Sequence, residues 1–328
     1  MKQMKIGKSG IKASALGLGT WAIGGDSSWG PSDDNESIKT IHRARELGIS
    51  LIDTAPAYGL GHSEEVVGKA LAGHRDQYVL ATKCGIRWDI DEGGFLMERD
   101  GVKIVRNASP KRLSEEIDLS LKRLQTDYID IYIVHWQAIE EYPIPISDTM
   151  GYLMELKQQG KIRAIGASNL NSEQFIEYVN NGQLDLIQEK YSILDRVVEE
   201  TFFGFCEEHG VTFQAYSPLE RGVLTGKYTP ASTVNMGLAK KKIKWYEKEN
   251  LEKVVELKKK WQPLFEKYGC SMTELVLAWT LSQGTGNNVN VLCGARKISQ
   301  IEENVGGGNI SIDSEDLASM RRDVEAIL

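Results

Sequence analysis

An acid and a phenol lie close together in Leu51-Ile52-Asp53-Thr54-Ala55-Pro56-Ala57-Tyr58-Gly59. Asp53 ends an apolar run, where a buried strand emerges, and Pro56 and Gly59 impose a tight turn that keeps Tyr58 in a loop nearby. By themselves the two could as well be a strand-end cap and a half-buried aromatic. The same placement recurs twice, however. Tyr78-Val79-Leu80-Ala81-Thr82 runs into Lys83, and Ile129-Asp130-Ile131-Tyr132-Ile133-Val134 runs into His135. Strand-like runs thus end on a carboxylate, an ammonium and an imidazole. In a parallel barrel the C-terminal strand ends share one face, and residues placed there read as catalytic.

The rest of the chain supplies elements that could hold them so. A hairpin is expected over residues 4–14 around Ser9-Gly10, followed by a first strand, Ala15-Leu16-Gly17-Leu18-Gly19. Ile38, Ile41, Ala44 and Leu47 have helical spacing and stop at Gly48. Strands 49–53, 78–83 and 129–135 alternate with a helix over 63–71, whose first-turn acids complement its dipole, and with one opening at Ser109-Pro110. That last helix carries the apolar stripe Leu113, Ile117, Leu121 and Leu124. The second half reads as helix 147–159, strand 162–167, helix 172–180 capped from Asn171, strand 184–188, helix 199–209 and strand 211–215. Helical segments 251–268 and 271–282, an eighth strand 289–293 and a helix 299–305 complete it.

Eight strands alternating with helices predict an α/β fold, a (β/α)₈ TIM barrel preceded by a β-hairpin. With no linker or composition shift, residues 1–328 are expected to form one domain. Loops 84–108 and 225–250 exceed the ~12–15 residues usual for structureless connections and are candidate lids over substrate and cofactor. Lys240, Lys241, Lys242 and Lys244 in the second loop read as a solvated helix face.

Several function classes are disfavoured. Gly17-x-Gly19-x-x-Ala22 fits a loose dinucleotide fingerprint, but a Rossmann turn must open a helix, and none is expected before about Asp34. The glycines read instead as close-packed barrel backbone. With 39 basic and 46 acidic residues the formal charge is −7, which argues against a nucleic-acid binder. No leader or spanning stretch is apparent, so a soluble cytoplasmic protein without a membrane partner is expected. Cys84, Cys206, Cys270 and Cys293 are far apart and read as reduced thiols, Cys84 as a buried structural one. His42, His62, His74, His135 and His209 form no H-x-H or H-E-x-x-H pattern, so no metal is expected and a metal-dependent barrel hydrolase is disfavoured.

Taken in order, Leu51-Ile52-Asp53-Thr54-Ala55-x-x-Tyr58-Gly59, Ser63-Glu64-Glu65-x-Val67-Gly68, Ala81-Thr82-Lys83, Val134-His135-Trp136 and Gly166-x-Ser168-Asn169 resemble the aldo-keto reductases over nearly the whole chain. Within that superfamily the likeness is to bacterial members near the potassium-channel beta-subunit-like and general-stress/inositol-operon branch, rather than to aldose reductase. The resemblance implies a catalytic tetrad of Asp53, Tyr58, Lys83 and His135. Carbonyl reduction needs a hydride at carbon and a proton at oxygen, so Tyr58 would be the acid. Its phenol, ordinarily titrating near pH ~10, would be lowered towards the working range by the Lys83 ammonium. Asp53 would pair with Lys83, and His135 would orient the substrate carbonyl.

The resemblance also implies an NADP(H) site, with NAD(H) possible. Ser168, Asn169 and Gln188 match residues that hold the nicotinamide carboxamide, and Tyr216 the aromatic that stacks on its ring. Thr20 and Trp21 fall beside the cofactor, and Ser217, Leu219, Gly222, Leu224 and Lys227 match the pyrophosphate segment. Gly294, Arg296, Gln300, Glu303 and Asn304 match the adenosine site, with Arg296 meeting a 2′-phosphate. Gln300 departs from the pattern, since many members carry arginine there. Trp21, Trp88 and Trp136 would line the substrate pocket.

These matches imply an NADP-dependent oxidoreductase reducing aldehydes or ketones. Alternatives are a sugar or polyol (inositol-type) dehydrogenase working oxidatively, and an NADP-binding, redox-sensing regulatory subunit. A small-molecule carbonyl substrate is the expected partner; the sequence does not specify an oligomeric state.

Overall fold

Short runs of aliphatic residues form eight parallel strands whose hydrogen bonding closes into a barrel. The computed structural model describes residues 1–235, 237–241, 243–284 and 288–328. Strands β1 (Gln3–Lys5) and β2 (Lys12–Ser14) make the antiparallel N-terminal hairpin. The barrel comprises β3 (Leu16–Gly19), β4 (Leu51–Asp53) and β5 (Val79–Cys84), then, after an inserted sheet of β6 (Ile86–Arg87), β7 (Gly94–Arg99) and β8 (Val102–Arg106), β9 (Ile129–Val134), β10 (Ile162–Ser168), β11 (Leu186–Lys190), β12 (Thr212–Tyr216) and β13 (Val289–Gly294). β13 pairs with β3 through Val291–Leu16 to Gly294–Gly19, which closes the ring.

Alternation divides each strand between two cores. Inward-facing Leu51, Ala81, Ile131, Ile133, Ala164, Leu186 and Leu292 form one apolar cluster with Ile6, Ile11 and Ala13 from the hairpin region. The hairpin therefore stoppers the N-terminal mouth of the barrel, tied there by Gly7 N donating to Thr212 Oγ1 and Asn290 Nδ2 donating to the Ser14 and Ala15 carbonyls. The fingerprint-like Gly17 lies in this packing, since a Cβ on it would stand 2.7 Å from Leu292 Cδ2.

Outward-facing strand residues form one apolar core with helices α1 (Asp34–Glu46), α2 (His62–Leu71), α3 (Pro110–Leu124), α4 (Ile146–Gln158), α5 (Ser172–Asn181) and α6 (Gly204–His209) and, after the short α7 (Leu238–Lys241) of the second long loop, with α8 (Lys248–Lys260), α9 (Gln262–Tyr268), α10 (Met272–Leu281), α11 (Ile298–Gly307) and α12 (Ser314–Glu325). Capping boxes open α5 at Asn171 and α10 at Ser271, where the side chains satisfy free backbone N–H groups. Ser109 precedes α3 without a side-chain cap bond; its N–H instead donates to Asn107 Oδ1. No described helix is long and apolar enough to cross a membrane.

Three elements depart from the sequence expectation. Residues 199–209 begin with a π turn, Glu199–Phe203, before α6. The C-terminal α12 was not expected; its fully buried contacts are Met320 and Val324. Loop 84–108 is not structureless, because Asp100-Gly101 takes left-handed backbone, φ 52° and 78°, and folds β7 onto β8. In the second long loop Lys241 and Lys244 are exposed, but Lys240 is half-buried against Trp29, Tyr228 and Tyr246. The lysine-face expectation fails there because aromatic rings surround that ammonium. Lys242 lies outside the described residues.

Gly68 shows how closely the shell is packed. A Cβ there would lie 2.5 Å from Arg123 O and 2.9 Å from Leu124 Cα, where α2 crosses α3. Gly68→Ala should lower the unfolding free energy by about 1–3 kcal/mol, seen as a reduced urea midpoint. An increase in midpoint, as at an ordinary exposed helical glycine, would contradict this packing.

Candidate active site

The open end of the barrel gathers the C-terminal residues of its strands. Gly19, Asp53, His135, Ser168, Gln188, Tyr216 and Gly294 line a cavity of about 520 Å³, together with Tyr58 from the β4–α2 loop. That volume falls within the range of small-molecule sites, ~300–1,000 Å³.

Lys83 lies beneath the surface, fully buried, with Nζ donating to Asp53 Oδ1 at 2.6 Å and to Thr54 O at 2.8 Å. The ammonium stands 4.8 Å from the centroid of the Tyr58 ring. The Tyr58 ring packs edge-on to His135, centroids 5.8 Å apart, and stacks on Trp21 at 6.1 Å. Backbone contact fixes its loop, since Gly59 has φ 64° and a Cβ there would be 2.2 Å from Gly24 O. The tetrad members are thus brought together.

Their electrostatics differ from the sequence expectation in one respect. Burial pushes the Tyr58 phenol up from its ordinary value, and the neighbouring Lys83 only partly opposes it. The phenol is therefore protonated at neutral pH, as a proton donor must be. Burial alone would discharge Lys83, but Asp53 and Tyr58 hold its pKa above the usual ammonium value. Burial, with the Lys83 and Arg99 charges, drives His135 well below the usual imidazole range, so its ring is neutral.

The groove beyond the tetrad is polar and partly preassembled. Ser168 Oγ donates to Gln188 O, and Asn169, at φ 58°, donates through Nδ2 to His135 O at 2.8 Å and accepts from Tyr216 Oη at 2.8 Å. Gln188 Nε2 donates to Asp53 Oδ2 at 3.0 Å, linking this group to the tetrad. Ser217, Glu220 and Arg221 have φ of 58°, 47° and 54°, a concentration of left-handed non-glycine backbone that costs roughly 1–3 kcal/mol per residue. Leu219 O, accepting from Gly222 N and Leu224 N, and Ser192 Oγ, donating to Glu220, brace that turn. Farther along, Arg296 N donates to Gln300 Oε1, Arg296 Nη1 donates to the Trp29 and Pro31 carbonyls, and Lys227 pairs with Glu303 at 2.7 Å. Asn304 Nδ2 donates to Gly294 O. Among the described residues, chain neighbours aside, no atom lies within 4 Å of where a Gly19 Cβ would sit, and Gly19 O, at 3.6 Å, is the one atom near that of Gly294. The bare backbone leaves room for a flat, extended ligand such as a dinucleotide.

Thr20, Leu224 and Trp88 are not among the lining residues. Thr20 is buried, bonding Asp53 O and Ser63 Oγ, and fastens β3 and β4 to the start of α2. Leu224 is buried in the main apolar core. Trp88 packs beside Ala57, Ile86 and Ile104, its ring 5.9 Å from the Arg123 guanidinium. Trp21 and Trp136 do line the cavity, whose walls also include Trp29, Arg99, Arg221, Tyr228 and Thr273, none of them singled out from sequence, and Lys240, which sequence read as part of a solvated face. Arg221, 5.0 Å above the Trp21 ring, was within reach of sequence reasoning because it lies inside the Ser217–Gly222 segment already marked. Cys84 is buried, and burial and then Glu116 push its thiol well above the usual range, so it carries no thiolate.

A neutral buried imidazole has a consequence for stability. The unfolded chain protonates this histidine below about pH 6.5 while the folded state resists, so stability complete above that pH is lost as pH falls. Between pH 7.5 and 5.5 the stability advantage of the parent over His135→Gln should shrink by about 1 kcal/mol, measurable by urea titration at each pH. A constant or growing advantage would mean that His135 is charged in the folded state.

Residues 15–324 match the model of the Aldo/keto reductase family. The NADH-specific methylglyoxal reductase of Escherichia coli is 44% identical over all of this chain and 99% of its own length. The aldo-keto reductase YhdN of Bacillus subtilis is 39% identical, covering 100% of this chain and 94% of the relative. Among solved structures, the glycerol dehydrogenase AKR11B4 of Gluconobacter oxydans superposes with a TM-score of 0.86 at 34% identity, over 99% of this chain and 94% of that one. With a closed parallel barrel, a lysine–aspartate pair beneath a loop tyrosine and family similarity from end to end, this chain belongs to the aldo/keto reductase family.

Proposed function

We propose that this protein reduces a small aldehyde or ketone to the alcohol with a nicotinamide dinucleotide, Tyr58 acting as general acid. The observation that carries the reading is a protonated phenol held over the buried Lys83–Asp53 pair, next to a neutral imidazole on the wall of one cavity. When bound, the dinucleotide supplies hydride to the carbonyl carbon. His135, being neutral, donates an N–H to the carbonyl oxygen without adding a positive charge that would have to be desolvated. As negative charge develops on that oxygen Tyr58 releases its proton to it, and the Lys83 ammonium stabilises the phenolate left behind. Asp53 keeps that ammonium charged and fixes its direction.

We assign Ser168, Asn169, Gln188 and Tyr216 to the nicotinamide end, the 217–222 turn and Lys227 to the pyrophosphate, and Arg296, Gln300, Glu303 and Asn304 to the adenosine end, a reading supported by their sharing one cavity wall. Arg296 supports NADP(H), because its guanidinium suits a 2′-phosphate. Gln300 adds no second charge, and its carbonyl is already engaged with Arg296 N. The NADH specificity named for the Escherichia coli relative supports use of NAD(H) too. We therefore assign both cofactors, with NADP(H) favoured in kcat/KM by no more than about 10–100-fold, the worth of one charge-assisted contact. Polyol oxidation is the same chemistry reversed, and the solved relative named a glycerol dehydrogenase supports activity in that direction.

Tyr58→Phe should retain dinucleotide binding in a fluorescence titration while losing about 10²–10⁴-fold in carbonyl turnover. Parental turnover by that variant would remove Tyr58 from the acid's role. Tight binding by the parent with no turnover across a carbonyl panel would favour a redox-sensing regulatory subunit over an enzyme.

A further inference from the structure

The inserted sheet does more than roof the site. From β7 it brings Leu96, Met97 and Arg99 into the lining of the cavity, in a stretch where the resemblance to the family assigned no residue. Arg99 is held from two sides. Its Nη1 donates to Asp26 Oδ2 at 2.9 Å, in the loop after β3, and to Ala57 O at 3.0 Å, the carbonyl directly preceding Tyr58. The second bond fixes the guanidinium against the loop that carries the proton donor. Its charge is also felt at both Tyr58 and His135.

The other nitrogen is differently placed. Among the described residues the contact of Nη2 is the thioether of Met97, at 3.6 Å, a weak acceptor for a group with two N–H donors. Arg99 and Asp26 are 14% and 7% exposed, so the ion pair is largely withdrawn from water, whereas the contact of Nη2 with Met97 lies at its exposed edge and leaves that nitrogen open to a ligand. The pair is also electrically balanced. A carboxylate arriving at Nη2 would face Asp26 as well as Arg99, whereas an uncharged oxygen would meet only an available donor. The same cavity wall carries Leu96, Ile104, Trp21 and Trp136, apolar and aromatic surface beside which Arg99 contributes a donor that an oxygen of the substrate would seek.

We propose that Arg99 is a specificity-determining residue that selects carbonyl substrates bearing a second, uncharged oxygen on the neighbouring carbon, that is, 2-oxo and 2-hydroxy aldehydes. Tyr58 and His135 take the oxygen being reduced, and Arg99 Nη2 donates to the neighbouring one. Two-point attachment fixes the rotation of the carbonyl, which an aldehyde with one oxygen leaves free. The inference rests on the reductase reading above and names its substrate class.

The test compares substrates of one size and different oxygen pattern. Methylglyoxal, propanal and glyoxylate are turned over with saturating NADPH or NADH by the parent, Arg99→Lys, Arg99→Met and Asp26→Asn. The parent should prefer methylglyoxal to propanal by about 10–100-fold in kcat/KM, the range of one hydrogen bond to a charged donor. Arg99→Lys retains a cation for Asp26 but lacks the second nitrogen, and it should cut that preference at least tenfold, as should Arg99→Met. If Arg99 only anchors the sheet, both aldehydes lose turnover together in Arg99→Met and Asp26→Asn with their ratio intact, and the proposal is overturned. Preference for glyoxylate that depends on Arg99 would overturn it equally, by showing an anion site. Absence of turnover by the parent on every carbonyl would strike at the reductase reading instead, which separates the two failures. A Tm for each variant confirms that ratios come from folded protein.

Discussion

The buried ion pair between Lys83 and Asp53 is the constraint around which the site is built. Lys83 is fully buried and Asp53 nearly so, 2.6 Å apart, and the carboxylate is the main group that keeps the buried ammonium charged. A buried pair of this kind is a poor source of net stability, because desolvation offsets the attraction, and removing one partner costs about 3–5 kcal/mol. Its presence calls for another reason, and proximity to Tyr58 provides it. A permanently charged ammonium under a phenol is a place where a phenolate can form, and burial makes the attraction large at the moment the proton leaves.

That pair is in turn held by a polar chain through the barrel. Asp53 accepts from Gln188, Gln188 donates to Gln214 Oε1, Gln214 donates to Asn290 Oδ1, and Asn290 ends on the carbonyls of Ser14 and Ala15, where the hairpin joins β3. The register makes this possible, since Gln188, Gln214 and Asn290 are directly paired across β11, β12 and β13. Polar groups so deep are tolerable when their partners are complete, and here successive amides satisfy one another. The N-terminal stopper and the catalytic mouth are thereby connected through hydrogen bonds, which gives the hairpin a part in site geometry as well as in closing the core.

Much of this was legible in sequence for a definite reason. Strand ends are marked by the change from apolar to ionisable side chains, so Asp53, Lys83 and His135 were found from pattern, and the barrel followed from counting alternations. What pattern could not supply was direction and depth. Thr20 and Leu224 adjoin cavity residues in sequence and Trp88 lies two positions beyond Ile86, yet the first two are buried in packing and the third lies in a satellite cluster. The ionisation of Tyr58 was likewise misjudged, because sequence shows that a lysine is near but not that burial outweighs it. Gln188 could be placed near the cofactor but not recognised as a link in the Asp53 chain, a fact of three-dimensional register. The inserted sheet was read only as a long loop, although Asp100-Gly101 between two alternating runs carried a hairpin signal.

The difference between barrel and loops also bears on how such a site can change. Asp53, Lys83 and His135 sit at strand ends and the loop of Tyr58 is locked against the Gly24 backbone, so this arrangement has little freedom to vary. Arg99, Arg221 and Lys240 come instead from the inserted sheet and from the segments after β12, and each is held by a few local contacts: an aspartate and a carbonyl, the carbonyl of Ala239, and aromatic rings. Altering one of these contacts leaves the Lys83–Asp53 pair and its amide chain intact. If Tyr58 is the acid as proposed, a scaffold that fixes it and leaves the cations around the mouth adjustable can keep one reaction while changing which carbonyl compound it accepts.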